Sequence, residues 1–157
     1  MSMKKIWLLW VMCLTVWSVS AQTWSPITWT AYGLTFEAPK GILVEEDTEE
    51  TFLLNNSKFY ITLQSLESEE MKKEDLPVYL KDYANDDGVK NQSKTETFEL
   101  PQFHVCSLQG DSDSDRCLYA CLMTKDAGSG FYLSIICAPE RAQDAERILK
   151  SFRMEEE

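Results

Sequence analysis

A chain of 157 residues that is 44% hydrophobic and 26% charged is too apolar for a disordered polymer and too short for a multidomain machine. Its 26 acidic against 15 basic side chains give a net charge of −11, a field that repels phosphate backbones and anionic lipid headgroups. Nucleic acid is thereby disfavoured as a partner, and any charged partner should be cationic.

Lys4 and Lys5 precede an apolar run from Ile6 to Val19 that ends in the small-residue triplet Val19, Ser20, Ala21. A basic start, an apolar core and a small-residue site are the three parts of a secretory signal peptide, which predicts cleavage between Ala21 and Gln22. The run is shorter than the roughly 20 apolar residues a membrane span needs, which argues against an uncleaved anchor. Cys13 follows Met12 inside the apolar core and lacks the small residue that lipidation requires. Taking Lys4 and Lys5 away with the leader leaves 13 basic against 26 acidic side chains in a mature chain of 136 residues, a net of −13. No repeat, linker or composition break divides residues 22–157, which read as a single domain, secreted or periplasmic, with no membrane association after cleavage and monomeric.

Thr28 to Tyr32 and Leu34 to Ala38 read as short strands broken at Gly33, and Pro39, Lys40, Gly41 turn the chain into Ile42 to Val44. Glu50 to Leu54 and Lys58 to Leu66 flank Asn55, Asn56, Ser57, a hairpin turn. The period then changes: Leu76, Tyr79, Leu80 and Tyr83 predict a helix with Asp75 as cap and Pro77 in its first turn, stopped by Asn85 to Gly88. Strands are expected at Ser93 to Leu100, Phe103 to Gln109, Arg116 to Thr124 and Phe131 to Ala138, mostly antiparallel. A last helix from about Pro139 puts Ala145, Ile148, Leu149 and Phe152 on one stripe, with Glu146 and Lys150 spaced for a surface pair.

The order of these elements, a G-L-T-F-x-x-P phrase at Gly33 to Pro39 and a closing Ile148, Leu149, Lys150, Ser151, Phe152, resembles the PsbP/DcrB-like superfamily over about Thr30 to Arg153. The resemblance implies an α+β fold, a mostly antiparallel sheet packed with two main helices as an αβα sandwich, and an exported protein with no family-wide catalytic motif. Ile42 stands where that pattern usually has an aromatic.

Cys106, Cys117, Cys121 and Cys137 form an even set in an exported chain, and disulfides are the expectation. Cys117 and Cys121 lie four apart on one strand, about 13 Å apart at the strand rise, so they cannot bond each other. That leaves Cys106 with Cys117 plus Cys121 with Cys137, or Cys106 with Cys121 plus Cys117 with Cys137. A turn centred in Gly110 to Asp113 fits the first, and a slight shift gives the second. Buried reduced thiols are the alternative. The strand spacing also opposes a zinc site made of His104, Cys106, Cys117 and Cys121.

Asp111, Asp113 and Asp115 have the spacing that starts a calcium loop, but Arg116 replaces the bend glycine and Leu122 the bidentate glutamate, and a polar hairpin loop explains them equally well. His104, the one histidine, lies mid-strand without a nucleophile elbow or phosphate loop, so it is expected to be structural. Trp24, Trp29, Tyr32, Phe36, Phe59, Tyr60, Tyr119, Phe131 and Tyr132 either line a groove or fill the core. The reading is an exported, acidic, non-catalytic binding or accessory protein of the bacterial envelope, with no cofactor or metal and a protein or small-molecule partner. The alternative is a small secreted hydrolase or calcium-dependent domain.

Overall fold

The computed structural model describes residues 24–66, 72–126 and 128–155. The predicted leader lies outside them. Five strands come first: β1 (Trp24–Trp29), β2 (Leu34–Pro39), β3 (Leu43–Asp47), β4 (Thr51–Asn55) and β5 (Phe59–Leu66). Helix α1 (Leu76–Asp86) follows, then β6 (Glu96–Glu99), β7 (Phe103–Ser112), β8 (Asp115–Thr124) and β9 (Gly130–Cys137). Helix α2 (Ala142–Lys150) and the two-residue β10 (Arg153–Met154) end the described chain. No helix among the described residues is long and apolar enough to cross a membrane.

All strand pairs are antiparallel, in a seven-stranded sheet of order β3-β4-β5-β9-β8-β7-β6 and a three-stranded one of order β1-β2-β10. The α+β architecture expected from the sequence, an antiparallel sheet packed with two main helices, is what the chain adopts. The large sheet is two meanders, β3-β4-β5 and β6-β7-β8-β9, joined where β5 pairs with β9.

The two faces of the sheet hold separate cores. One face carries Phe52, Leu54, Ile61, Leu63, Val105, Leu118, Leu122, Leu133 and Ile135 and packs against the small sheet and α2 through Trp29, Phe36, Ile148, Leu149 and Phe152. The other face carries Cys106, Leu108, Cys117, Tyr119, Cys121 and Met123 under Leu76, Leu80 and Ala84 of α1. Strand β8 lies beneath both layers, so its residues from Cys117 to Thr124 are all buried and show no alternation. Strands β4 and β5 are covered on one face and alternate cleanly: Phe52, Leu54, Phe59, Ile61 and Leu63 point in, and Leu53, Tyr60 and Thr62 point out.

The helical stripe differs from the expected one, because the buried line of α1 is Leu76, Leu80, Ala84 while Tyr79 remains 38% exposed. On α2 the expected Glu146–Lys150 pair is replaced by a long-range contact, Gln109 Nε2 donating to Glu146 Oε1 at 2.8 Å. The turn between β7 and β8 is two residues, Asp113 and Ser114, with Asp113 at φ 53°. That turn sets the register on which the cysteines depend.

Candidate functional site

In that register Cys106 stands directly opposite Cys121, Cys117 opposite Gly110, and Cys137 opposite Arg116. Cys106, Cys117 and Cys121 therefore belong to the face under α1, while Cys137 lies in the other core. The expected pair of disulfides is corrected by this: all four thiols are free and buried, and both proposed pairings join Cys137 to a cysteine on the opposite face of the sheet. Burial pushes the Cys106 and Cys137 thiols up to about 11 and raises Cys117 and Cys121 as well, so none is an activated nucleophile.

His104 keeps the face of Cys106 but reaches the rim, where its Nδ1 lies 2.7 Å from Glu99 Oε2 across the β6–β7 pair. Lys125 Nζ is 3.8 Å from the same oxygen. The hydrogen bond from His104, together with the nearby charges of His104, Lys125 and Lys73, holds the Glu99 carboxyl below its usual range. This group borders a cleft of about 230 Å³ between β6, β7 and the start of α1, lined by Lys73, Leu76, Pro77 and Phe98. Among the described residues no serine or cysteine lines it.

The aspartates of the β7–β8 hairpin do not converge. Asp111 accepts from Arg116 Nη1 and from Asn91 Nδ2, each at 3.0 Å, and these bonds lower its carboxyl below the ordinary value. Asp113 occupies the turn and Asp115 starts β8. Among the described residues there is no group of three or more His, Cys, Asp or Glu that could hold a metal ion.

Of the nine aromatics singled out in the sequence, Trp29, Phe36, Phe59, Tyr119 and Phe131 are core. Trp29 stacks on Phe52 at 5.8 Å between centroids and donates from Nε1 to Thr48 O at 2.7 Å. Trp24 is capped by the Arg147 guanidinium, 4.1 Å above its ring. Tyr83, Tyr119 and Tyr132 cluster beneath α1, where desolvation pushes the hydroxyls of Tyr83 and Tyr132 up to about 12. Tyr60 alone of the nine is an exposed large hydrophobic, at 43%.

Tyr60 lies on the half of the large sheet that α1 leaves open. Helix α1 packs on β7 and β8, so no helix among the described residues covers the same face of β3, β4 and β5. Leu43, Asn55, Tyr60 and Ile136 form one row across four strands, and Leu53, Thr62 and Ser134 a second. The first row runs into a cleft of about 350 Å³ bordered by Lys58, Tyr60, Ile136 and Arg141. The sequence left Tyr60 either in a groove or in the core, because the row depends on pairing between distant strands and carries no local signal.

A family model described as Dihydro-orotase-like matches residues 11–141. No curated protein sequence matches the chain. Among solved structures, the Saccharomyces cerevisiae Ran-binding protein Mog1p is similar at a TM-score of 0.58 and 11% identity, covering 83% of this chain and 95% of that one. A mutant of protein Mog1 gives 0.58 and 12% over 83% and 95%. A Bacteroides thetaiotaomicron VPI-5482 protein gives 0.52 and 11% over 86% of this chain and 49% of its own, so this chain spans about half of it. At these identities the likeness is one of fold. The PsbP/DcrB-like assignment made from element order is corrected by the family match, which names another family; the two phrases behind it lie on β2 and at the end of α2.

Proposed function

This chain belongs to the Dihydro-orotase-like family, and we propose that it serves as a non-catalytic binding module for a protein partner, exported by its leader to the bacterial envelope or beyond. The observation that carries the reading is the open half of the large sheet, where Leu43, Leu53, Tyr60 and Ile136 form a partly apolar face that no element among the described residues covers. Such faces are characteristic of sites that receive another protein. The yeast structure of similar fold is described as a Ran-binding protein, which supports a protein as the class of partner.

A hydrolytic reading is favoured by the family's description and by the Glu99–His104 pair beside its cleft. It is the lesser reading because no serine or cysteine among the described residues lines that cleft beside His104, and the buried thiols are held protonated. Affinity capture with the tagged full chain, followed by cross-linking and mass spectrometry, tests the proposal. The expected result is a protein partner cross-linked to β3, β4 or β5, with capture lost in Leu53→Ser/Tyr60→Ser. Turnover of dihydro-orotate that disappears in His104→Gln would replace the binding reading with the hydrolytic one. N-terminal sequencing of secreted or periplasmic protein should begin at Gln22.

A further inference from the structure

Strand β3 is an edge: it pairs with β4 and has no neighbour on its other side among the described residues. An edge presents unpaired N–H and C=O groups, a template for another strand. Every residue of β3 is exposed, and two of them are apolar, Leu43 at 67% and Val44 at 45%. Proteins ordinarily guard such edges with charge, and Glu45, Glu46 and Asp47, followed by Glu49 and Glu50, do so here. The guard has a single sign and leaves Leu43 and Val44 bare. A second copy of this chain would set its own acids against these, and like charges opposite one another destabilise a strand pair. The residues that turn away a copy attract a cationic strand.

We propose that β3 receives an extended segment of a protein partner, with lysine or arginine alternating with apolar residues, as an eighth strand of the large sheet. The inference rests on the protein-binding reading above and gives it a contact surface and a partner chemistry. Backbone hydrogen bonds to the edge supply affinity, and alternate side chains supply specificity. Apolar side chains of the segment lie beside Leu43 and the row that leads to Tyr60. Its cations lie on the other face of the strand, where they meet Asp47, which shares the face of Val44, and Glu45 at the bulge between Val44 and Glu46.

The probe is a fluorescently labelled Lys-Val-Lys-Val-Lys-Val-Lys-Val octapeptide, with an N-methylated copy that cannot complete a ladder and a Glu-Val octapeptide of equal length. Anisotropy titration of the full chain should show saturable binding of the first peptide and none of the other two, and hydrogen exchange should slow across residues 43–47. Glu45→Lys/Asp47→Lys should weaken binding about tenfold, or about 1.4 kcal/mol. Asp82→Lys/Asp86→Lys on α1 makes the same change in net charge and should leave binding unaltered. The proposal is overturned if the first peptide does not bind, if the N-methylated copy binds equally, if both double variants weaken binding alike, or if exchange slows elsewhere. A native partner captured equally by Glu45→Lys/Asp47→Lys would also remove β3 as the site while leaving the binding reading standing. Failure of the wild-type chain to capture any partner, with the octapeptide still bound at β3, would remove that reading instead.

Discussion

Gly110 is the residue on which the packing of the α1 layer turns. It sits opposite Cys117 in the β7–β8 pair, and the loop after α1 crosses it so closely that a Cβ there would come within 2.4 Å of Val89 Cγ1 and 2.9 Å of Lys90 O. The second contact is backbone, fixed by the reciprocal Lys90–Asp111 bridge, and cannot yield cheaply. Gly110→Ala should therefore cost about 1 to 3 kcal/mol, read as a lower urea midpoint. The neighbouring thiols give a pH signature. Folding holds Cys106 and Cys137 protonated up to about 11, whereas an unfolded thiol ionises near about 8.5. Their contribution is fully present below about pH 8.5 and is lost as pH rises towards 11, so the urea midpoint should fall across that window. A midpoint that stays flat there would contradict the burial of these thiols. Alternation along β7 puts His104, Cys106 and Leu108 on one face. The sequence misplaced Cys137 because that residue's face depends on the β8–β9 register, which a two-residue turn at Asp113 and Ser114 fixes and a longer turn would have shifted.

At the scale of elements, what was legible in the sequence is what period and punctuation encode. Strands β2, β4, β5, β7, β8 and β9 and both helices fall within a few residues of their expected bounds, because each carries enough apolar positions to show a period. The first strand was expected at Thr28 to Tyr32 and runs instead from Trp24 to Trp29. It contains Pro26, which is compatible with β1 being the edge of the small sheet, the place where a strand tolerates proline. Strand β10 has two residues and no period at all, and only its pairing with Thr35 and Leu34 defines it. What it closes is nevertheless substantial. Phe152, between α2 and β10, stacks on Phe36 with centroids 4.6 Å apart and is 2% exposed, locking the small sheet over the core. Phe152→Ala should cost about 3 to 5 kcal/mol, measured by urea denaturation. A loss below about 1 kcal/mol would mean that this end of the chain closes on the sheet without that ring.

For the whole molecule, the seam of the large sheet is the pairing of β5 with β9, which joins residues 59–66 to residues 130–137. Each flanking meander is local: β7 and β8 are linked by the two residues Asp113 and Ser114, and β4 and β5 by Asn56 to Lys58, where the Asn56 side chain accepts from both Lys58 N and Phe59 N. Closing the seam spans a loop longer by roughly five doublings, about 3 kcal/mol of added chain entropy, so it should form after the β6–β9 meander. That order predicts opposite kinetic effects for two buried residues. Val105→Ala in β7, within the early meander, should slow folding and change unfolding little. Ile61→Ala in β5, facing Ile135 across the seam, should mainly speed unfolding. Stopped-flow folding and unfolding limbs in urea decide the matter. Equal slowing of folding by both variants would mean that the seam forms together with the meander. If the predicted split appears, β3, β4 and β5 dock last onto a formed β6–β9 sheet, and the half of the molecule that carries the open face and the acidic edge is also the half that is cheapest to open.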